Sequence, residues 1–213
     1  MLDAVAFLQK WQTLTGAMIG GFISLLVALI VATSATRREQ RISAILLLSD
    51  LMAVRAAAEN LARIAKEQGV TEERYPLWAS EKLSWRRPRL SALFESNMAR
   101  VISVDARLGA HLSLFKTVYT SIDDHVARVE NDAQRLRTQG RSEFPRSPAE
   151  TAADANVAAA ALKLAGEHAA YAEYFLSAFV LNTMPGFMKR IRIWAWPNEI
   201  DRGSKRLLSE GRI

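Results

Sequence analysis

The sequence predicts an all-α protein in which an N-terminal transmembrane helix continues into a cytoplasmic antiparallel helical bundle. Three observations lead there. Residues 13–36 form a run of 24 without a charge. Two later stretches, about 37–68 and 91–138, repeat apolar residues at spacings of three and four, the period of a helix with one buried face, and a third, about 148–184, opens on a capping signature and is Ala-rich in its first half. Five of the six prolines lie between those stretches or at their ends, and Pro197 lies in the tail; such positions are where a chain reverses or a helix begins.

The bulk composition fits that architecture. The chain has 213 residues, enough for an anchor and one domain with its own core. Half of them are hydrophobic and 23% are charged, which excludes a disordered class. Net charge is +6, a balance that suits anionic lipid or nucleic acid. Arg outnumbers Lys 21 to 7, which suggests a GC-rich bacterial genome. No Cys is present, so disulfides, thiolate metal sites and cysteine nucleophiles are excluded.

As a helix, residues 13–36 would measure ~36 Å at ~1.5 Å per residue, against about 30 Å of hydrocarbon. The run is too long for the apolar region of a cleaved signal peptide. Arg37, Arg38 and Arg41 follow it at once and read as a stop-transfer flank, with only Lys10 before it. The side richer in cations stays inside. Residues 1–12 are therefore expected in the periplasm and the body in the cytoplasm of a bacterial inner membrane. Trp11, Arg37, Arg38 and Arg41 are the residues expected at lipid headgroups. Gly16 and Gly20 form G-x-x-x-G, and Gly21 widens the groove. Small residues let helix backbones approach closely in lipid, so these glycines are the expected intramembrane contact, with another membrane protein or with a second copy.

The first stretch of the body has a seam of Ala44, Leu47, Leu51, Val54, Ala58, Leu61 and Ala65, spaced alternately three and four. Nothing breaks the helix between the span and this seam, and Gly69 ends it. Residues 70–90 read as a connector punctuated by Pro76 and Pro88. Trp78 and Trp85 lie there among Arg86, Arg87 and Arg89. That mixture could meet nucleic acid or headgroups; the expectation is that the tryptophans cap the body while the arginines stay solvated. Nucleic acid is not an expected partner.

The second stretch carries Val101, Val104, Leu108, His111, Phe115, Val118, Ile122, His125, Val129, Ala133 and Leu136, with a joint expected near Ser103. A linker follows at 139–145. Ser147-Pro148-Ala149-Glu150 then announces the third stretch: Ser caps, Pro suits the first helical position, and Glu150 completes a capping box. That helix should run to Met184, where Pro185-Gly186 stops it. Residues 169–188 carry one charge, Glu173, but the uncharged part is 15 residues and includes Pro and Gly. Such a run suits a buried helix better than a second span.

Residues 185–213 form a basic and aromatic tail. Lys189, Arg190, Arg192, Trp194 and Trp196 crowd its first part and are expected to touch a partner or the membrane surface. The polar remainder has little visible means of folding alone.

Chemistry is sparse. There are three histidines. His111 and His125 share a seam but stand about 21 Å apart on a straight helix, too far to hold one metal ion. Adjacent residues such as Glu167 and His168 point apart on a helix. No phosphate-binding, dinucleotide-binding, zinc-protease or nucleophile-elbow motif occurs. No catalytic residue, cofactor or metal site is expected.

Phe94-Glu95-Ser96-Asn97, Val101-Ile102-Ser103-Val104-Asp105, Phe115 and Tyr119, preceded by Trp11-Gln12-Thr13-Leu14-Thr15-Gly16-Ala17, give residues 8–120 a pattern that resembles bacterial single-pass membrane proteins. The resemblance implies an N-terminal span before a helical cytoplasmic body and implies no activity. The expected role is non-catalytic: an accessory, scaffold or assembly subunit of a membrane protein complex, bound through its span and to anionic lipid. A homodimeric signalling module that relays a change along the long helix is the alternative, and a membrane-bound enzyme is a more distant one.

Overall fold

The computed structural model describes residues 2–139, 147–182 and 186–210. All regular structure among these residues is helical: α1 (Leu2–Glu67), α2 (Tyr75–Arg86), α3 (Phe94–Val101), α4 (Ala106–Gln139), α5 (Pro148–Phe175), α6 (Gly186–Ala195) and α7 (Glu199–Glu210). The expected linker from residue 140 onward and the expected stop at Pro185 lie outside the described residues. The chain divides into two compact units, residues 1–41 and residues 42–213.

The first unit is the start of α1. From Leu14 onward it is long and apolar enough to cross a membrane, and it alone is so among the described residues. Its hydroxyls are closed onto their own helix. Thr15 Oγ1 donates to the Trp11 carbonyl at 2.8 Å, Thr33 Oγ1 to Leu29 at 2.9 Å, Ser34 Oγ to Val31 at 2.8 Å and Thr36 Oγ1 to Ala32 at 3.0 Å. Each bond gives the hydroxyl a partner within its own helix, as a Ser or Thr side chain in a helix can find in a carbonyl three or four residues back.

The second unit is built round one core. Leu47, Leu51 and Val54 of α1 meet Leu83, Phe94, Leu112, Phe115, Leu162 and Phe175 from α2 to α5 there. Contacts fix the sense of each helix. Arg55 Nη1 reaches Glu173 Oε2 at 2.6 Å, and a Cβ on Gly166 would stand 3.3 Å from Ala58 Cβ. Residue numbers rise on α1 as they fall on α5. The same holds between α4 and α5, where His111 meets His168 at 2.9 Å and His125 meets Asp154 at 2.6 Å. The α2–α3 leg runs against α4: the Tyr119 hydroxyl donates to the Pro88 carbonyl, and Lys116 pairs with Glu95 at 2.7 Å. With α1 and α4 both opposed to α5, those two run in the same sense.

That arrangement differs from three long helices alternating in direction, and α2 is the reason. The connector expected at 70–90 holds a helix, with Pro76 in its first turn and Ala79, Ser80 and Leu83 buried. Proline breaks a helix interior but fits the first turn, where its missing N–H bonds nothing.

The other boundaries follow local chemistry. Residues 102–105 separate α3 from α4, and Asp105 Oδ1 accepts from the N–H groups of Arg107 at 3.0 Å and Leu108 at 3.4 Å. Ser147 and Glu150 form the capping box of α5: Glu150 N donates to Ser147 Oγ at 3.3 Å and Ser147 N to Glu150 Oε2 at 2.7 Å. α5 does not stay α-helical toward residue 184. It widens into a π-helical stretch, Leu176–Leu181, that buries Leu176, Phe179 and Val180. Much of residues 169–188 is thus core. The tail folds as α6 and α7, the latter capped reciprocally by Asn198 and Asp201 at 2.7 and 3.2 Å.

Candidate functional site

Two surfaces and one buried cluster stand out. Along the apolar run of α1, nothing lies within 4 Å of a Cβ placed on Gly16, Gly20 or Gly21. The glycines belong to a longer pattern: Gly16, Gly20, Ser24, Ala28, Ala32 and Thr36 recur every fourth residue. Successive members of an i, i+4 row are neighbours, but each step turns the row by about 40°, so the small residues wind round the helix and Gly16, Gly20 and Ser24 are the ones that share one side. Reading glycine alone misses the serine, alanines and threonine that extend the row. Arg37, Arg38 and Arg41 are exposed after the span, and Trp11 is largely exposed before it.

On α6 the structure separates the cations from the aromatics. Lys189 is buried, and its Nζ donates to the Asn182 carbonyl at 3.2 Å. Arg190 donates to the Val104 carbonyl at 2.7 Å and lies 3.9 Å from the buried carboxylate of Asp105. Arg192 donates to the Tyr174 hydroxyl at 2.7 Å and lies 3.7 Å from Asp201. Ile193 joins the core. The large apolar side chains point away: Phe187, Met188, Ile191 and Trp194 are exposed, Trp194 at 85%, and Trp196 follows at 76%. Spacings of four and three place Phe187, Ile191 and Trp194 on one ridge. A helix that docks through polar groups and presents apolar ones reverses the usual amphipathic arrangement.

α7 closes over a buried polar cluster. His111, His168 and Ser204 are at most 1% exposed. His111 Nδ1 meets His168 Nδ1 at 2.9 Å, and His111 Nε2 meets Ser204 Oγ at 2.7 Å. A neutral imidazole has one donor and one acceptor. If His111 Nδ1 donates to His168, its Nε2 accepts from Ser204; if His168 donates, His111 donates to Ser204. Both proton arrangements satisfy the chain of bonds. Burial, then the neighbouring His168 and then Arg107, hold His111 down to about 3, and burial holds His168 down to about 4. The pair is therefore neutral near pH 7. Tyr171 and Phe175 stack on the His111 ring at 5.1 and 5.9 Å. A Cβ on Gly203 would collide with the Tyr171 hydroxyl, so the glycine lets α7 settle onto it.

The spacing of His111 and His168 in sequence, 57 residues, hid this cluster, because only the pairing of α4 with α5 brings them together. Serine, histidine and histidine in sequence of contact resemble a relay that activates a nucleophile. Here the Ser204 oxygen is sealed, and what the relay does is tie α7 to α4 and α5. His125, by contrast, is a boundary histidine held by Asp154. Among the described residues no group of three or more metal-ligating side chains forms.

Two grooves lie beside α1. One of about 700 Å³ between α1, α2 and α5 is floored by Ala58, Ala62, Ala159, Ala160 and Gly166. One of about 840 Å³ between α1 and α2 is lined by Trp78, Trp85, Lys82, Arg86 and Arg63. Trp78 is half-buried and Trp85 is exposed. Compared with known proteins, no family model, no curated protein and no solved structure matches this chain.

Proposed function

We propose that this protein is a non-catalytic, membrane-anchored accessory, scaffold or assembly subunit of a bacterial inner-membrane protein complex. Its span crosses once, with residues 1–12 in the periplasm. Arg37, Arg38 and Arg41 meet anionic headgroups on the cytoplasmic side, and residues 42–213 form a helical bundle there. The observation that carries this reading is the smooth face of the span. Gly16, Gly20 and Ser24 offer a neighbouring helix close backbone approach over about two turns, while the rest of that helix carries large exposed side chains such as Phe22, Leu25 and Ile30. Arg190, Arg192, Trp194 and Trp196 mark the second contact, outside the hydrocarbon, while the expected contact residue Lys189 is buried beneath them.

The continuous α1 helix favours a second reading, a homodimeric relay. A relay of the coiled-coil kind needs its seam free to meet the partner's. Ala44, Leu47, Leu51 and Val54 are instead spent on the chain's own core, which favours the accessory reading.

A photo-crosslinking residue placed at Ser24 on the smooth face, and another at Leu26 on the opposite side, tests this in native membranes. Capture of a different membrane protein from position 24 and little from 26 is expected. Equal yields from both positions contradict a specific face, and capture of a second copy alone moves the reading to the relay.

A further inference from the structure

We propose that α6 lies along the cytoplasmic headgroup layer of the same bilayer, with its ridge of Phe187, Ile191 and Trp194 at the headgroup–acyl boundary. The inference rests on the membrane-anchored reading above and assigns the second contact to lipid.

The first support is the reversed amphipathicity. Burying Lys189 and binding Arg190 and Arg192 to carbonyl, hydroxyl and carboxylate oxygens orients α6 so that Phe187, Met188, Ile191 and Trp194 cannot reach the core. An apolar ridge held outward by specific polar contacts needs an apolar medium on its outer side. Both arginine side chains remain more than half exposed, at 60% and 53%. They can therefore meet lipid phosphate while keeping their internal bonds. An apolar ridge flanked by cations and tryptophan is the composition of a helix that lies in an interface.

The second support is where α6 begins. The register of α1 against α5, Ala58 at Gly166 and Arg55 at Glu173, brings earlier residues of α1 level with later residues of the α5 and π-helical run. Ile42 is thus at the end of the body where α6 starts, and Lys189 reaches back to Asn182 there. Only five residues, Arg37 to Arg41, separate Ile42 from the apolar run. Ile42, Ile45 and Leu46 are also exposed. A bilayer covers apolar side chains on two separate elements without shape complementarity, which a protein partner would need.

The chain has no Cys, so single spin labels can be placed without removing any. The full-length protein, labelled in turn at Ile191→Cys, Val157→Cys and Leu26→Cys, would be reconstituted into phosphatidylcholine–phosphatidylglycerol vesicles. Collision with oxygen and with a soluble nickel chelate is then measured. The expected result is an oxygen-to-nickel ratio several-fold higher at 191 than at 157, with 26 higher still. A label at 191 as aqueous as that at 157, with 26 in lipid, overturns this inference and leaves the anchor standing. An aqueous label at 26 overturns the anchor as well. A label at 191 shielded from both reagents, or broadened by a second label, means a protein contact and overturns the lipid assignment. If the Cys variant fails to fold, quenching by brominated lipid decides in its place. The unsubstituted protein should lose a fluorescence component that the Trp194→Phe/Trp196→Phe variant lacks; equal quenching in both overturns the inference.

Discussion

Ser204, His111 and His168 carry a molecule-wide contact on three side chains. Ser204→Ala leaves His111 Nε2 buried without its hydroxyl, which costs about 1–2 kcal/mol, and chemical denaturation should read that loss. The pH dependence has a definite sign. Both imidazoles titrate lower in the folded protein than their ordinary value of 6.5, at about 3 and about 4. Below pH 6.5 the unfolded chain therefore takes up protons that the folded one refuses, and stability falls as pH drops toward 4. Above pH 7 the pair contributes no slope. His111→Gln removes one titrating ring and should flatten the decline in melting temperature between pH 6.5 and 4. Burial raises the carboxyls of Glu173 and Asp123, so they work in the opposite direction at the acidic end. Gly109 is a second residue with a sharp role: a Cβ there would stand 2.9 Å from Ile102 Cγ1 and 3.0 Å from its carbonyl oxygen. Gly109→Ala should cost about 1–3 kcal/mol by forcing the turn between α3 and α4 outward.

At the scale of elements, α6 divides its residues between two jobs. Ile193 faces the core at 5% exposure and Trp194 faces out at 85%. Ile193→Ala should destabilise the body by about 2–4 kcal/mol, whereas Trp194→Ala should change it by less than about 0.5 kcal/mol. Equal effects in a denaturation titration would mean that α6 is rotated from the orientation described. Element by element, the sequence was legible where spacing reports burial directly. Four of the seven residues of the α1 seam are wholly buried, and the Ser147–Glu150 box caps α5. It was illegible where one residue has two meanings. Pro76 reads as a breaker and serves as a helix start, which hid α2. Lys189, Arg190 and Arg192 read as a surface cluster and hold the helix down, because composition does not say which way α6 is turned. The Asn198–Asp201 cap starts α7 within a stretch whose polar composition hides a helix.

For the whole molecule, the long helical stretches and the apolar run were readable because each is set by local period and length. The shared sense of α1 and α4 was not, since it depends on a return leg through α2 and α3. Nor was the His111–His168–Ser204 cluster, which requires α4, α5 and α7 to be assembled first. An apolar N-terminal run with small residues sharing one side near its start precedes a body whose seam is spent internally, leaving apolar side chains outward on α6. The central claim is that this chain is a subunit. Extraction of the untagged protein from its native membrane in mild detergent, followed by the mass and composition of the intact particle, tests it most directly. The account predicts a stoichiometric complex with other membrane proteins. A particle containing only this chain would contradict it.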